Sequence, residues 1–307
     1  MRGREPGDGP LRGRTVVVTG AARGLGAALA ADLARRGARL ALLGHEHPRL
    51  EALAASLPVP ALALEADVTE PDQLQRAADE IRARLGRPSA VVANAGVAEA
   101  GPFAATDHAT FSRVVEVNLT GSALTARVFL PDLLSTAGYF LCVGSLASLA
   151  AAPLMSAYSA SKAGAEAFAH ALRAEVAHRG VAVGVAYANW IDTDMIRDGR
   201  RYTSLRELRA ALPPPGRPIR GPEQVAARLG DAVERRSTAV YVPRWLRLVQ
   251  AGRAAVPAVV TRRARRLLPR LEAGGPLAPS GLLGAGGRAD ERGHAPHPEP
   301  PASGSDV

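Results

Sequence analysis

Over its first 245 residues the chain alternates short aliphatic and β-branched runs with longer Ala/Leu stretches of helical period. Arg14 to Thr19 (RTVVVT) reads as a buried strand that ends at Gly20. The following GAARGLGAALAADLARRGA is a helix opened by glycines and closed at Gly37. Further strands are expected at Arg39–Leu43, Ala61–Leu64, Ala90–Ala93, Tyr139–Gly144 and Val181–Tyr187, with an edge strand near Tyr241. Helices are expected at Pro48–Ser56, Pro71–Leu85, Asp107–Leu134, Tyr158–Arg179 and Pro222–Arg236. Strand–helix alternation of this kind predicts one α/β domain over 13–245. Its sheet is parallel and doubly wound, with helices on both faces and ligands at the carboxyl ends of the strands.

The pattern changes after residue 245. Residues 244–271 (RWLRLVQAGRAAVPAVVTRRARRLLPRL) interleave Leu, Val and Trp with Arg. They predict an Arg-rich amphipathic extension over 246–272, broken into short helices at Pro257 and Pro269. Two readings stand for it. It lies on an anionic membrane surface, or it packs on the domain or a second subunit with Arg solubilising it. Residues 273–307 are Gly/Pro-rich with few large apolar side chains and are expected to be disordered, as are residues 1–12.

Composition narrows the classes. Hydrophobic residues make up 47% and aromatic residues only 4%, so the core is built from Ala, Val and Leu. The single Cys, Cys142, rules out an internal disulfide and points to a reducing, cytoplasmic setting. No apolar run approaches the roughly 18–20 residues of a transmembrane helix, and Thr15–Thr19 is too short for a signal peptide. The net charge is +9, concentrated in one late segment: residues 240–271 hold eight Arg and no acid. A nucleic-acid role for the main domain therefore has little support, and no metal site is expected.

The candidate chemistry sits at the strand ends. Gly20-x-x-x-Gly24-x-Gly26, between a strand and a helix, suits a tight turn whose N–H groups face a phosphate. A carboxylate about 20 residues past such a turn would grip a ribose 2′-hydroxyl. Here that position is Gly44, followed by His45, while Arg23 lies inside the turn. This suits a 2′-phosphate and predicts NADP(H) over NAD(H). Asp67, next to Val68, either accepts from an adenine amino group or caps a helix. Asn94-Ala95-Gly96 is a small-residue turn where backbone can lie close to a ligand. Asn118, inside a predicted helix, is read as a kink that holds a water or orients Lys162. Tyr158 and Lys162 stand four apart on one helical face, and Lys162 is the only Lys among 38 basic residues. A cation beside a phenol lowers its pKa, and the Ser145 hydroxyl can hold a carbonyl oxygen while the phenol passes it a proton.

In order and spacing, TGAARGLG (19–26), Asp67-Val68, NAG (94–96), Asn118, Ser145 and Tyr158-Ser-Ala-Ser-Lys162 resemble the short-chain dehydrogenase/reductase family over about residues 14–245. That resemblance implies a Rossmann-type fold and an Asn118–Ser145–Tyr158–Lys162 tetrad. Tyr158 would be the general acid/base and Ser145 would position the carbonyl. Lys162 would lower the Tyr pKa and bind ribose, and Asn118 would hold a proton-relay water. Gly20, Arg23, Gly24, Leu25, Gly26, His45, Asp67, Val68, Asn94, Ala95 and Gly96 would line the dinucleotide, with Ile191 and Thr193 at the nicotinamide carboxamide. The segment carrying that last pair usually begins Pro-Gly but here reads Ala188-Asn189-Trp190. Ser145, Leu146, Trp190 and Met195 are expected to line the substrate pocket, with Leu149, Pro153 and Met155 as further candidates. The implied activity is NADP(H)-dependent interconversion of an apolar ketone or aldehyde with an alcohol, in a homodimer or homotetramer. The rival reading is a non-catalytic NADP(H) sensor or membrane-docked scaffold on the same fold.

Overall fold

Strands flanked by helices on both faces of a sheet must be apolar throughout, and this sets the architecture. The computed structural model describes residues 9–293. Its strands are β1 (Thr15–Thr19), β2 (Arg39–Gly44), β3 (Ala61–Glu65), β4 (Pro88–Ala93), β5 (Tyr139–Val143), β6 (Ala182–Ala188) and β7 (Ala239–Val242). They form one parallel sheet in the order β3-β2-β1-β4-β5-β6-β7. β1 and β5 are buried at every position. The order reverses between β1 and β4, so the carboxyl ends of these strands open the crevice where α/β sheets bind ligands.

Helices α1 (Gly24–Arg35), α2 (His47–Ser56), α3 (Pro71–Leu85) and α4 (His108–Val115) follow the first strands and lead into β5's flank. Next come α5 (Gly121–Ser135), α6 (Leu146–Leu149), α7 (Ser156–Val176), α8 (Asp194–Gly199), α9 (Thr203–Ala210) and α10 (Pro222–Arg235). Two apolar clusters cover the faces of the sheet, one built around Val17, Leu43 and Phe140, the other around Val16, Leu29 and Leu42. A charged tie closes the second. Arg36 donates to Asp32, Asp231 and Glu234, joining α1 to α10.

The expected helix over Asp107–Leu134 is two helices joined by a π turn at Glu116–Thr120, with Asn118 inside it. The extension also differs from expectation. After α11 (Leu246–Ala251), α12 (Val256–Ala273) runs through both prolines. Pro257 falls in the first turn, where its missing N–H has no intrahelical acceptor to lose, and Pro269 is carried inside the helix. Leu246 is fully buried in the main core, so α11 is continuous with the domain.

Residues at both ends that were expected to lack order include well-placed ones. Residues 9–12 form a turn with Leu11 buried; residues 1–8 lie outside the described residues. The Gly/Pro-rich segment after 273 carries α13 (Gly284–Gly293), while 294–307 lie outside the described residues. The Ser280 N–H donates to Ala100 O (2.7 Å), the Ala100 N–H to Ser280 Oγ (2.8 Å), and the Leu283 N–H to Ala98 O (2.8 Å). Backbone groups satisfied in this way let a segment poor in apolar side chains hold its place.

Candidate active site

The crevice begins at the turn after β1. Thr19 Oγ1 accepts from the N–H groups of Asn94 and Ala95 (both 3.0 Å), and Asn94 Nδ2 donates to Thr19 O (2.9 Å). The ends of β1 and β4 are thus tied together. Gly20 has φ +63°, and a Cβ there would stand 2.8 Å from Ala95 Cα. Arg23 precedes α1 without capping it, and the first turn of α1 has no acid. Its unpaired N–H groups and positive helix end suit an anion. The groove beside this turn measures about 200 Å³ and is lined by Gly20, Gly24, Leu25, Gly26, Val68, Asn94, Ala95 and Gly96. Leu283, Gly286 and Gly287 bound its outer side.

One end of the groove is strongly charged. Arg23 donates to both carboxylate oxygens of Glu46 and, at 2.8 Å, to Asp194 Oδ2. Asp67 Oδ1 accepts from the Thr69 N–H and hydroxyl (each 2.8 Å), and Oδ2 accepts from Arg113 (2.8 Å). Burial pushes the Asp67 carboxyl up, but the bonds from Thr69 and Arg113 outweigh it and hold it below the usual range. Asp67 therefore makes a local turn and an ion pair, and Glu70, not Asp67, stands before α3. Arg113 also grips Asp290 of α13 through two bonds (2.6 and 2.7 Å). His45 Nε2 lies 3.4 Å from Asp290 Oδ1, and that contact, against the opposing effect of burial, raises the imidazole pKa. His45, Asp67 and Asp290 converge as ligands of a cation would; the Arg113 guanidinium supplies the positive charge there. Glu46, Arg113, Asp194 and Asp290 were not identified from sequence. Glu46, Asp194 and Asp290 line the groove, and Arg113 reaches it through its bonds to Asp67 and Asp290.

The other end is built on β5 and α7. Ser145 follows β5 at its carboxyl end, accepts from the Ala147 N–H (3.1 Å) as the cap of α6, and lines the cleft together with the Tyr158 phenol. Tyr158 lies in the first turn of α7, and Lys162 follows one turn later with its Nζ 5.9 Å from the phenol ring centroid. Lys162 is 5% exposed and donates to Val143 O (3.0 Å). Burial pulls its pKa down. The phenol departs from expectation: burial pushes its pKa above the ordinary tyrosine value, only partly opposed by the nearby Ser145 hydroxyl, and the Glu99 charge adds to the rise. Lys162 does not acidify Tyr158 in this state, because at that separation a buried ammonium does not overcome the loss of water.

Asn118 is completely buried. Its Oδ1 accepts from the Val97 N–H, and Nδ2 donates to Val97 O and Ser161 Oγ, all at 2.9 Å. It therefore fastens the 94–97 turn to α7 through Ser161, and among the described residues it makes no direct bond to Lys162. A Cβ on Gly96 would stand 2.9 Å from Asn118 Oδ1 and 3.3 Å from Lys162 Nζ, so glycine lets the turn lie against both. Glu99, also missed from sequence, is 2% exposed and accepts from the N–H groups of Ala157 (3.0 Å) and Tyr158 (3.2 Å).

A cleft of about 320 Å³ opens over Ser145, Tyr158 and Lys162. Leu146, Pro153, Met155, Trp190 and Met195, expected at a substrate pocket, line it, and so do Ile191 and Thr193, which the resemblance placed at the nicotinamide. Leu149 does not; it points into the main core. Unanticipated walls come from Val259, Val260 and Leu267 of α12 and from Leu283. Trp190 takes φ +36°, a left-handed conformation rare for a bulky side chain, in the segment where the family usually has Pro-Gly. Leu25, Asn94, Gly96, Thr193, Met195 and Leu283 line both groove and cleft. A glycine cradle, a helix N-terminus and an adjoining apolar cleft are the parts that a nicotinamide dinucleotide and a substrate require, so the residues fit that cofactor.

Comparisons with known proteins agree with this geometry. The sequence profile described as short chain dehydrogenase matches residues 14–202. An 11-beta-hydroxysteroid dehydrogenase 1A from Arabidopsis thaliana is 30% identical over 262 residues, 81% of this chain and 74% of that protein. Carbonyl reductase family member 4 from Danio rerio is 33% identical over 183 residues, 59% of this chain and 77% of that protein. The crystal structure of a short-chain type dehydrogenase/reductase from Mycobacterium marinum superposes with a TM-score of 0.68 at 25% identity, covering 75% of this chain and 94% of that one. The chain belongs to the short chain dehydrogenase family and is an oxidoreductase of the NAD(P)-dependent kind.

Proposed function

We propose that the chain is an NADP(H)-dependent oxidoreductase interconverting an apolar ketone or aldehyde with the corresponding alcohol. The observation that carries this is the convergence of Ser145, Tyr158 and Lys162 on one cleft, with Lys162 one helical turn from the phenol, where a glycine-lined groove meets apolar walls. In the reduction direction the Ser145 hydroxyl orients the carbonyl oxygen, and Tyr158 gives that oxygen its proton. Bound nicotinamide supplies the hydride, and takes it back in the reverse reaction. Lys162 binds the cofactor's ribose and keeps a positive charge beneath the phenol. The phenol's raised pKa keeps it protonated and ready to donate. The aliphatic walls of the cleft, with the hydroxysteroid dehydrogenase among the relatives, favour a substrate with a large apolar body.

The NADP(H) preference rests on Arg23 and His45 beside Gly44, where a ribose-binding carboxylate would otherwise stand. Because Glu46 and Asp194 already hold Arg23, the 2′-phosphate must draw the guanidinium away from them. A second reading concerns the surface around the cleft. Leu248 is 67% exposed and Val259 49% exposed, amid the exposed Arg247, Arg262, Arg265 and Arg266. An apolar edge set in a cationic surface suits an anionic bilayer, from which an apolar substrate would enter past α12.

Replacing Tyr158 with Phe is expected to lower kcat on the order of 100- to 10,000-fold while leaving NADPH binding, followed by fluorescence, largely intact. Comparable turnover in the variant would refute the assignment. NADPH binding with no turnover on a broad carbonyl panel would favour the sensor reading. Arg23→Ala should cut the preference for NADPH over NADH roughly tenfold or more, the worth of a charge-assisted contact; an unchanged ratio of kcat/KM values would remove Arg23 from phosphate recognition. Sedimentation with phosphatidylserine vesicles should pull the protein down at low salt and release it at high salt. A Leu248→Asp, Val259→Asp double variant should stay in solution, and equal binding by that variant would exclude this surface.

A further inference from the structure

The helix that carries Tyr158 begins without a cap of its own. Met155 precedes α7 and makes no side-chain capping bond, and the first turn of α7 contains no acid. The first N–H groups of a helix need acceptors, and its N-terminus carries partial positive charge. Here the acceptor comes from 58 residues away. Glu99 takes the Ala157 N–H on one carboxylate oxygen and the Tyr158 N–H on the other. We propose that Glu99 is a positioning residue for Tyr158: its carboxylate seats the turn that bears the phenol and offsets the positive end of that helix. This inference rests on the reading of Tyr158 as the acid/base group.

Three observations support it. First, Glu99 is 2% exposed, and among the described residues it makes no ion pair. A buried carboxylate without a cation is costly unless N–H donors satisfy it, and the donors here are backbone groups of α7 and its own. Second, the loop is held on both sides of Glu99. Ala98 and Ala100 bond to Leu283 and Ser280, and the Gly101 N–H donates to Leu154 O (2.8 Å). A carboxylate fixed in this way sets the entry of α7 to within a hydrogen bond. Third, Glu99 is the anion near the phenol. The groups facing Tyr158 are the Ser145 hydroxyl and the Lys162 ammonium, with Arg200, Arg206, Arg209 and Arg263 in the cleft wall, which among the described residues contains no carboxylate.

The sign follows. A negative charge at Glu99 makes the phenol hold its proton more tightly, and its removal leaves the positive helix end acting alone, which favours phenolate. Ketone reduction needs the protonated phenol, so its rate falls as pH rises through the phenol's pKa. In Glu99→Gln that alkaline limb should move down by about one pH unit. Glu99→Asp keeps the charge but shortens its reach. Its limb should stay in place while kcat falls about tenfold, with the KM for the dinucleotide unchanged.

A purely structural cap would lower the melting temperature and leave the limb where it is in both variants. That result overturns the proposal. If Glu99→Gln does not fold, Glu99→Asp decides: reduced kcat at constant dinucleotide KM supports positioning, and unchanged kcat overturns it. Failure of the underlying reading looks different, because Tyr158→Phe would then turn over normally whatever stands at position 99.

Discussion

An ammonium group buried at the base of the cleft constrains everything built around it. Lys162 has one hydrogen-bond acceptor among the described protein atoms, the Val143 carbonyl at the end of β5, and solvent reaches 5% of it. Burying such a charge is expensive unless neighbours compensate it. The Val143 carbonyl does so in part, and Gly96 leaves room for the 94–97 turn to approach. Asn118 and Ser161 pin that turn to α7. The π turn at Glu116–Thr120 is the backbone's means of bringing Asn118 inward, since π bulges recur at functional sites. The phenol, the hydroxyl and the glycine groove take their positions from this arrangement.

The site therefore has two electrostatic ends. At the cleft end the chain places one buried cation, one buried anion in Glu99, and a phenol whose proton affinity is raised by burial and by Glu99. At the groove end it gathers arginines and carboxylates into interlocked pairs: Arg23 with Glu46 and Asp194, and Arg113 with Asp67 and Asp290. Such pairs lose much of their attraction to screening only where solvent reaches them. Asp67 and Asp290 are nearly buried, yet bonds from Thr69 and Arg113 hold the Asp67 carboxyl below the usual range, and bonds from Arg113 and His45 hold that of Asp290 well below it.

What the sequence discloses and what it conceals divide along physical lines. The strands were legible because a sheet covered on both faces demands uninterrupted apolar runs, as in Val16–Val18. The glycine turn, Ser145, Tyr158 and Lys162 were legible because their spacing matches helix and turn geometry. Glu99, Asp290 and the α12 wall were not legible. Glu99 gains its meaning only when β4 and α7 come together 58 residues apart. The segment leading into α13 is held by two buried leucines, Leu282 and Leu283, by backbone bonds and by the carboxylates of Asp198 and Asp290, so composition suggested disorder where the fold supplies partners. The expectation that Lys162 acidifies Tyr158 failed for a related reason: spacing fixes a shared helix face but says nothing of how deeply both groups are buried.

The account stands on an ammonium at position 162 and not merely a positive charge. Among 38 basic residues it is the only Lys, in a pocket that admits a compact point charge beside Val143 O. Replacing it by Arg, the residue this chain uses everywhere else, is the most direct test. Lys162→Arg should fold, yet lose at least about 100-fold in kcat, because a guanidinium cannot occupy that place without displacing the phenol or the 94–97 turn. Turnover within a fewfold of the unsubstituted enzyme would contradict the account.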